Sequence, residues 1–323
     1  MMLTRTAMAL AFVVAALAVL LVWLWLAERI AGAAPHRARR AVLGWLWLAP
    51  AVALVGVYLL WPLLNTLYLS MRDARSSAWR GMDNYRYLVQ DGQVHAALRN
   101  NLLWLVLLTA GCVAIGLLVA TVADQVRYEA LAKAAIVLPT AIPFVAGAVI
   151  WRFMYQYQPP GSAQTGTLNA VWTSVTGRDP LAFLVDESTN NAALIAVGVW
   201  MTTGFATIIL SAAVKGVPAE LREAARMDGA SGYQVFRYIL LPHVRPAIVV
   251  TATLLAISAF KAFDIVYVMT NGNFATDVLA NLMYRQLFVD QDYGRASAIA
   301  VLLAVAAVPV LIINARTARR RES

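Results

Sequence analysis

Seven apolar runs dominate this chain, and they leave it few folds, because inside hydrocarbon every backbone N–H and C=O must be satisfied without water. The runs lie near Ala7–Ala27, Ala41–Leu64, Leu102–Ala123, Ala134–Trp151, Ala192–Val214, Ala247–Thr270 and Ala296–Ile313. Each approaches the roughly 20 residues that a helix needs to cross about 30 Å of hydrocarbon. Of the 323 residues, 61% are apolar and 13% charged, far from the roughly 25% charged of a soluble domain. The pattern predicts an all-α integral membrane protein.

Basic residues set the expected orientation, since Lys and Arg in short loops near helix ends stay in the cytoplasm. Clusters at Arg29–Arg40, Arg127 with Lys133, Lys215–Arg245 and Arg316–Arg321 share one side of the seven-span topology. That side is expected to be cytoplasmic, with the N-terminus outside and the C-terminus inside. The first run has the basic start and small residues of a signal peptide, but its length exceeds an h-region of about 7 to 15 residues. Residues 1–40 are therefore expected to be an extra transmembrane helix with a basic linker, in front of a transmembrane domain over 41–323. The net charge of +9 holds topology and meets anionic lipid head groups; it is not a reason to expect nucleic acid.

Residue usage closes several routes to chemistry. Cys112 has no second cysteine to pair with, and His36, His95 and His243 fall in separate polar segments, so neither a metal cluster nor a Ser-His pair is visible. None of the three lysines, Lys133, Lys215 and Lys261, follows a glycine as a phosphate-binding loop requires. A chain of this kind that works with ATP needs another chain to hydrolyse it.

The loop at about 215–246 is the exception to the apolar pattern. Pro218 suits a first helical turn, Glu220 and Glu223 favour a helix N-terminus, and Ala219, Leu221, Ala224 and Ala225 favour helix. A short helix is expected from about Pro218 to Met227. Gly229 and Gly232 then allow a sharp turn, and a second piece from about Tyr233 is expected to stop at Pro242, with Pro246 opening the next span.

Glu223-Ala224-Ala225, Gly229 and Ile239-x-Leu241-Pro242 together resemble the EAA signature of the permease subunits of binding-protein-dependent ABC importers. From Leu43 onward the chain is similar to the carbohydrate-uptake group, which includes maltose, α-glucoside and glycerol-phosphate permeases; VLPTAIPFVAGAVIWRFMY from Val137 and FKAFDIVYVMTNGNFATDVLANLMYRQLF from Phe260 are among the matching stretches. The resemblance implies a type I importer core of six helices, to which residues 1–40 add one. It implies as partners a homologous second permease, a dimer of cytoplasmic ATPase subunits that hold ATP and Mg, and an extracytoplasmic sugar-binding protein, in a bacterial or archaeal inner membrane. Residues 218–230 would be the coupling helix. In the family the glutamate at Glu223 pairs with a basic residue of the ATPase, Ala224 and Ala225 lie against its groove, and Gly229 makes the turn; Asp228 either caps the second helix or adds a contact.

The substrate path is less sharply marked. Lys261 and Asp264 are three residues apart and expected on one helix face, with Lys261 about 22 Å from Pro246 at 1.5 Å per residue; they read as an ion pair or gate, or as sugar ligands. Trp200, Thr203 and Phe205 midway along the fifth span, and Tyr267, are candidate sugar contacts, against the alternative of belts and packing. Pro139 and Pro143 are expected to kink the fourth span. The resemblance points to an α-glucoside or related oligosaccharide, with glycerol phosphate or another polyol as the alternative. The rival of another class is an ion-coupled secondary transporter, which needs buried acidic or histidine relays; apart from Asp264 the spans hold almost none.

Overall fold

The computed structural model describes residues 18, 21–30, 32, 36–123, 127–260 and 262–319. Among these every regular element is helical, and the one β-type pairing is an isolated bridge between Arg72 and Trp79. The chain divides into two compact units, Met1–Thr66 and Leu67–Ser323.

In the first unit residues 21–30 are helical and α1 spans His36–Val55. The Trp23 indole N–H donates to the Leu46 carbonyl at 3.1 Å, and the Arg29 guanidinium lies 4.0 Å above the Trp25 ring. Most of the expected first span, Ala7–Ala27, falls outside the described residues. A five-residue π-turn, Gly56–Leu60, leads into α2 (Trp61–Leu69). Its reason is the next residue but one: Pro62 has no N–H and its ring would strike the carbonyl four residues back. Widening the turn, so that the Trp61 N–H reaches Gly56 O, carries the helix past the proline.

In the second unit α3 (Asp83–Gln90) precedes the long α4 (Gly92–Ala123). Then come α5 (Glu129–Val137), a 3₁₀ turn at Leu138–Ala141 and α6 (Phe144–Met154). α7 (Thr167–Thr176), α8 (Asn190–Lys215) and α9 (Ala219–Met227) follow. α10 (Gly232–Val235) passes through a π-turn at Phe236–Leu240 into α11 (Leu241–Phe260), and α12 (Asp264–Met269), α13 (Leu279–Phe288) and α14 (Tyr293–Arg319) complete the chain.

By length and composition, Val42–Leu69, Gly92–Ala123, Asn190–Lys215 and Gly232–Phe260 can each cross a membrane, and the bent pair Glu129–Ala141 with Phe144–Met154 can act as a fifth span. α14, 27 residues long, covers the last expected run. The fourth span is more than kinked: its halves meet at 101°, where Ile142 and Pro143 are extended.

Two expectations about the sixth span are corrected. The helix does not stop at Pro242 and restart at Pro246; it runs from Gly232 to Phe260 without a break. A second π-turn, with Leu241 N–H on Phe236 O, carries it past Pro242 just as the first does at Pro62. Nor does it continue to Thr270. It ends at Phe260, and α12 starts afresh at Asp264.

α8 is the central element, packed against α4, α5, α6, α11 and α12. Without a hydrophobic drive between helices in lipid, such contacts depend on small residues that let backbones close up. Gly204 is a case in point: a Cβ there would lie 2.7 Å from Val137 Cα and 2.8 Å from Ile136 O, both backbone atoms that cannot rotate away. Gly204→Val is expected to destabilise the α5–α8 contact by about 1–3 kcal/mol, read as a lower unfolding midpoint of the purified protein.

Candidate coupling helix and central cavity

The α9–α10 hairpin is anchored at both ends by buried side chains and is largely exposed between them. Val217 before it and Leu240 after it are buried in a cluster with Ala120, Leu210, Val214 and Val244. α9 itself buries no side chain, and Met227 is 88% exposed. Leu221, Ala224 and Ala225 share one side of it by i, i+3 and i+4 spacing. A helix of nine residues that buries no side chain is marginal alone, so its ends matter. Pro218 opens it and Glu220 sits in its first turn.

Its C-terminus is a complete Schellman turn. Gly229 takes φ +82°, its N–H donates to Arg226 O at 3.0 Å, and the Ala230 N–H donates to Ala225 O at 2.9 Å. This is the left-handed closing residue that glycine supplies without penalty. The spacing from Ala225 to Gly229 thus has a geometric cause: the alanine's carbonyl receives the bond that the glycine's turn delivers. The Glu223 carboxylate is exposed and has no hydrogen-bond or ion-pair partner among the described residues.

Asp228 does not cap the second helix. Ser231 does: its Oγ accepts from the Gln234 N–H at 3.3 Å, and the Gln234 side chain accepts from the Ser231 N–H at 2.7 Å, a capping box. Ser231-Gly-Tyr-Gln234 carries that signal in the sequence, and the reading above missed it.

The hairpin is also tied to the broken span. Lys215, in the last turn of α8, and Lys133 both reach Glu129 Oε1 at 2.6 Å. Glu129 opens α5, and α5 leads to the 101° bend.

A cavity of about 210 Å³ lies at that bend, among Trp104 and Leu108 of α4, Phe144 at the start of α6, Gly198 and Thr202 of α8, Ser258 of α11, and residues 262–265. Two interrupted helices therefore meet at one cavity, the setting in which irregular backbone is tolerated at membrane depth. Asp264, half-buried, has no hydrogen-bond or ion-pair partner among the described residues. The Trp104 indole N–H is buried and also unpartnered there.

The site candidates separate. Asp264 lines the cavity, while Lys261 lies outside the described residues. The expectation that the two share one helix face is corrected, because the helix is interrupted between Phe260 and Asp264. Trp200 and Thr203 line a different, mainly apolar groove with Pro139 and Val199. Thr203 spends its hydroxyl on Val199 O at 2.6 Å, and Trp200 stands edge-on to Trp151 at 5.5 Å. Phe205 is 39% exposed and joins neither. Tyr267 stacks on Phe263 at 5.1 Å and meets Tyr284 at 5.2 Å. Sequence reasoning missed Trp104, Thr202 and Ser258, because long apolar helices with small residues on all sides do not disclose which face borders a cavity.

In the second unit, spanning helices pack on a broken pair that borders a cavity, and an exposed helix hairpin links two of them along the chain, an architecture suited to a transport permease. The comparisons make the class specific. Residues 112–323 match the family described as binding-protein-dependent transport system inner membrane component, and the chain belongs to that family. It is a multi-pass permease subunit of an ABC importer, whose ATPase is a separate subunit. The chain is 48% identical to the osmoprotective compounds uptake permease protein GgtC of Synechocystis sp., over 84% of this chain and 98% of that protein. It is 40% identical to the alpha-glucoside transport system permease protein AglF of Rhizobium meliloti, over 84% and 81%. Its fold matches a chain of the crystal structure of a bacterial ABC transporter that imports the acidic polysaccharide alginate, with TM-score 0.71 and 25% identity over 88% of this chain and 97% of that one.

Proposed function

We propose that this chain pairs with a homologous second permease to form an alternating-access path for a neutral, polyhydroxylated solute, an α-glucoside or related oligosaccharide. An extracytoplasmic binding protein delivers the solute, and two cytoplasmic ATPase subunits hold ATP and Mg and drive the cycle. The host membrane is a bacterial or archaeal inner membrane. In this reading residues 218–230 face the cytoplasm and dock in the ATPase. Closure of the ATPase dimer then moves the hairpin as a rigid body, and the Glu129–Lys215 pair passes the motion to α5 and the broken span.

The observation that carries the cargo class is the carboxylate of Asp264 in the central cavity, unpartnered among the described residues. A carboxylate accepts hydrogen bonds from hydroxyl groups and repels a phosphate, which disfavours glycerol phosphate. The names of the relatives agree: alpha-glucosides for AglF, and trehalose/maltose for MalF of Thermococcus litoralis, 28% identical over 88% of this chain. A smaller polyol is the second reading, favoured by the 48% identity to the osmoprotectant permease.

The test is uptake by the reconstituted transporter with Asp264 varied. Asp264→Ala is expected to lower uptake of the neutral solute about tenfold, the loss of one charge-assisted hydrogen bond of about 1.5 kcal/mol, with Asp264→Asn in between. Unchanged uptake of neutral solutes in both variants, or efficient glycerol phosphate uptake by the wild type, would remove this cargo assignment.

A further inference from the structure

A second cavity, of about 550 Å³, lies at the far end of the two short helices that begin at the first one. α6 starts at the central cavity with Phe144 and reaches the second with Val149 and Arg152; α12 starts with Asp264 and reaches it with Met269. At 1.5 Å per residue the two cavities are separated by about 8–12 Å of paired helix. α6 and α12 pack along each other, and the Arg152 Nη1 group donates to Val268 O across them at 3.1 Å.

The lining of this second cavity is unlike that of a helix-packing gap. Arg152, Gln156 and Tyr157 all border it. All three are exposed, and beyond the single Arg152 bond their side-chain polar groups have no partner among the described residues, which leaves them open to a solute entering from outside. Phe274 completes the wall, and it does so from a strained backbone, φ +56°. A phenylalanine in the left-handed region costs of order 1–3 kcal/mol and persists only where the surroundings enforce it. Here they do: the Phe274 carbonyl accepts from Asn190 Nδ2 at 2.6 Å, and the next carbonyl, of Ala275, accepts from Asn100 Nδ2 at 2.7 Å.

We propose that this cavity is a holding site for the polyhydroxylated solute on its way to the central cavity, with Arg152, Gln156 and Tyr157 as its hydrogen-bonding groups and Phe274 as an apolar wall. The inference rests on the proposed cargo and on this end of the bundle facing outward. The Val268 carbonyl fixes the Arg152 fork, which leaves its other N–H groups to span neighbouring hydroxyl oxygens. The Gln156 amide adds a donor and an acceptor. With one cation and two neutral groups the site fits a neutral polyol or sugar rather than a polyanion. The α6–α12 pair between the cavities is then the barrier the solute crosses.

The experiment uses the complete transporter in proteoliposomes, with trehalose and glycerol 3-phosphate as probes, and reads solute taken up per ATP hydrolysed. Gln156→Ala with Tyr157→Ala leaves the Arg152–Val268 bond untouched, and it is expected to lower trehalose uptake per ATP about three- to tenfold. Tyr157→Phe, which removes one hydroxyl without changing packing, is expected to lower it about twofold. A wild-type ratio in both variants would overturn the holding site while leaving the cargo reading intact. Transport of glycerol 3-phosphate that depends on Arg152, with trehalose not carried, would overturn the neutral class. If wild type carries neither probe, the cargo reading fails and the holding site falls with it.

Discussion

Asn100→Leu is expected to destabilise the second unit by about 2–4 kcal/mol, because one amide holds two carbonyls that have few other partners. Asn100 is fully buried, and its Nδ2 donates to Ala275 O at 2.7 Å and Asp277 O at 2.8 Å. Leucine has a similar volume and no donor. Each buried carbonyl left unsatisfied costs about 1–3 kcal/mol; the Ala275 carbonyl keeps a longer bond of 3.4 Å from Asn191, which puts the sum below the maximum.

The damage spreads, since the loop these carbonyls belong to carries positive φ at Asn271, Gly272, Phe274 and Ala275. Asn101 holds its far end, accepting from the Leu279 N–H at the start of α13. Asp277 is buried there too, pairing with Arg285 at 3.1 Å and accepting from Asn281 at 2.8 Å. Burial pushes its carboxyl above the ordinary range, while Asn281 and Arg285 pull the other way. Thermal unfolding of the purified chain measures the loss, and hydrogen exchange localises it to residues 271–281. Asn100→Asp is the sharper control, because it turns a donor into an acceptor facing the same carbonyls. A Tm within a degree of wild type in both variants would refute the assignment.

Gly229→Pro is expected to have the largest effect on function, with binding-protein-stimulated ATP hydrolysis falling at least tenfold. Proline fixes φ near −65°, where Gly229 needs +82°, and it deletes the N–H that reaches Arg226 O. α9 has no buried side chain to hold it once its closing turn is gone. The expected result is a hairpin frayed at its projecting end on a bundle that still folds, since Val217 and Leu240 remain packed. Gly229→Ala separates shape from sequence: it keeps the N–H, has open space for its Cβ, and pays only the left-handed penalty of about 1–2 kcal/mol. Its ATP hydrolysis is expected between those of wild type and Gly229→Pro.

The hairpin was the most legible part of the chain. Pro218 and Gly229 act through their own backbone, so one residue is enough to announce a start or a stop. The prolines at 242 and 246 misled in the opposite sense, because a proline reads as a breaker while a π-turn just upstream of Pro242 lets the helix pass. The proline that calls for this device is the same residue that signals a break, so residue type alone does not say whether the helix stops or passes. The break before Asp264 was invisible for a related reason: no glycine or proline marks it between Phe260 and Thr270. The cavity residues Thr202 and Ser258 were equally hidden. In a helix apolar on every side, as α8 and α11 are, no moment distinguishes the face toward a cavity from the face toward a neighbour.

The central claim is that residues 218–230 are the contact through which this permease engages its ATPase, and co-purification tests it most directly. The tagged chain is expressed with the ABC ATPase and second permease that the proposed function requires, and the ATPase retained per permease is measured for wild type, Glu223→Ala and Gly229→Pro. The account predicts retention by wild type and loss of most of it in both variants, as expected for removing one side of an interfacial charge pair worth about 2–5 kcal/mol and for unfolding the helix that presents it. Equal retention in all three would contradict it, and would place the ATPase contact elsewhere on the chain.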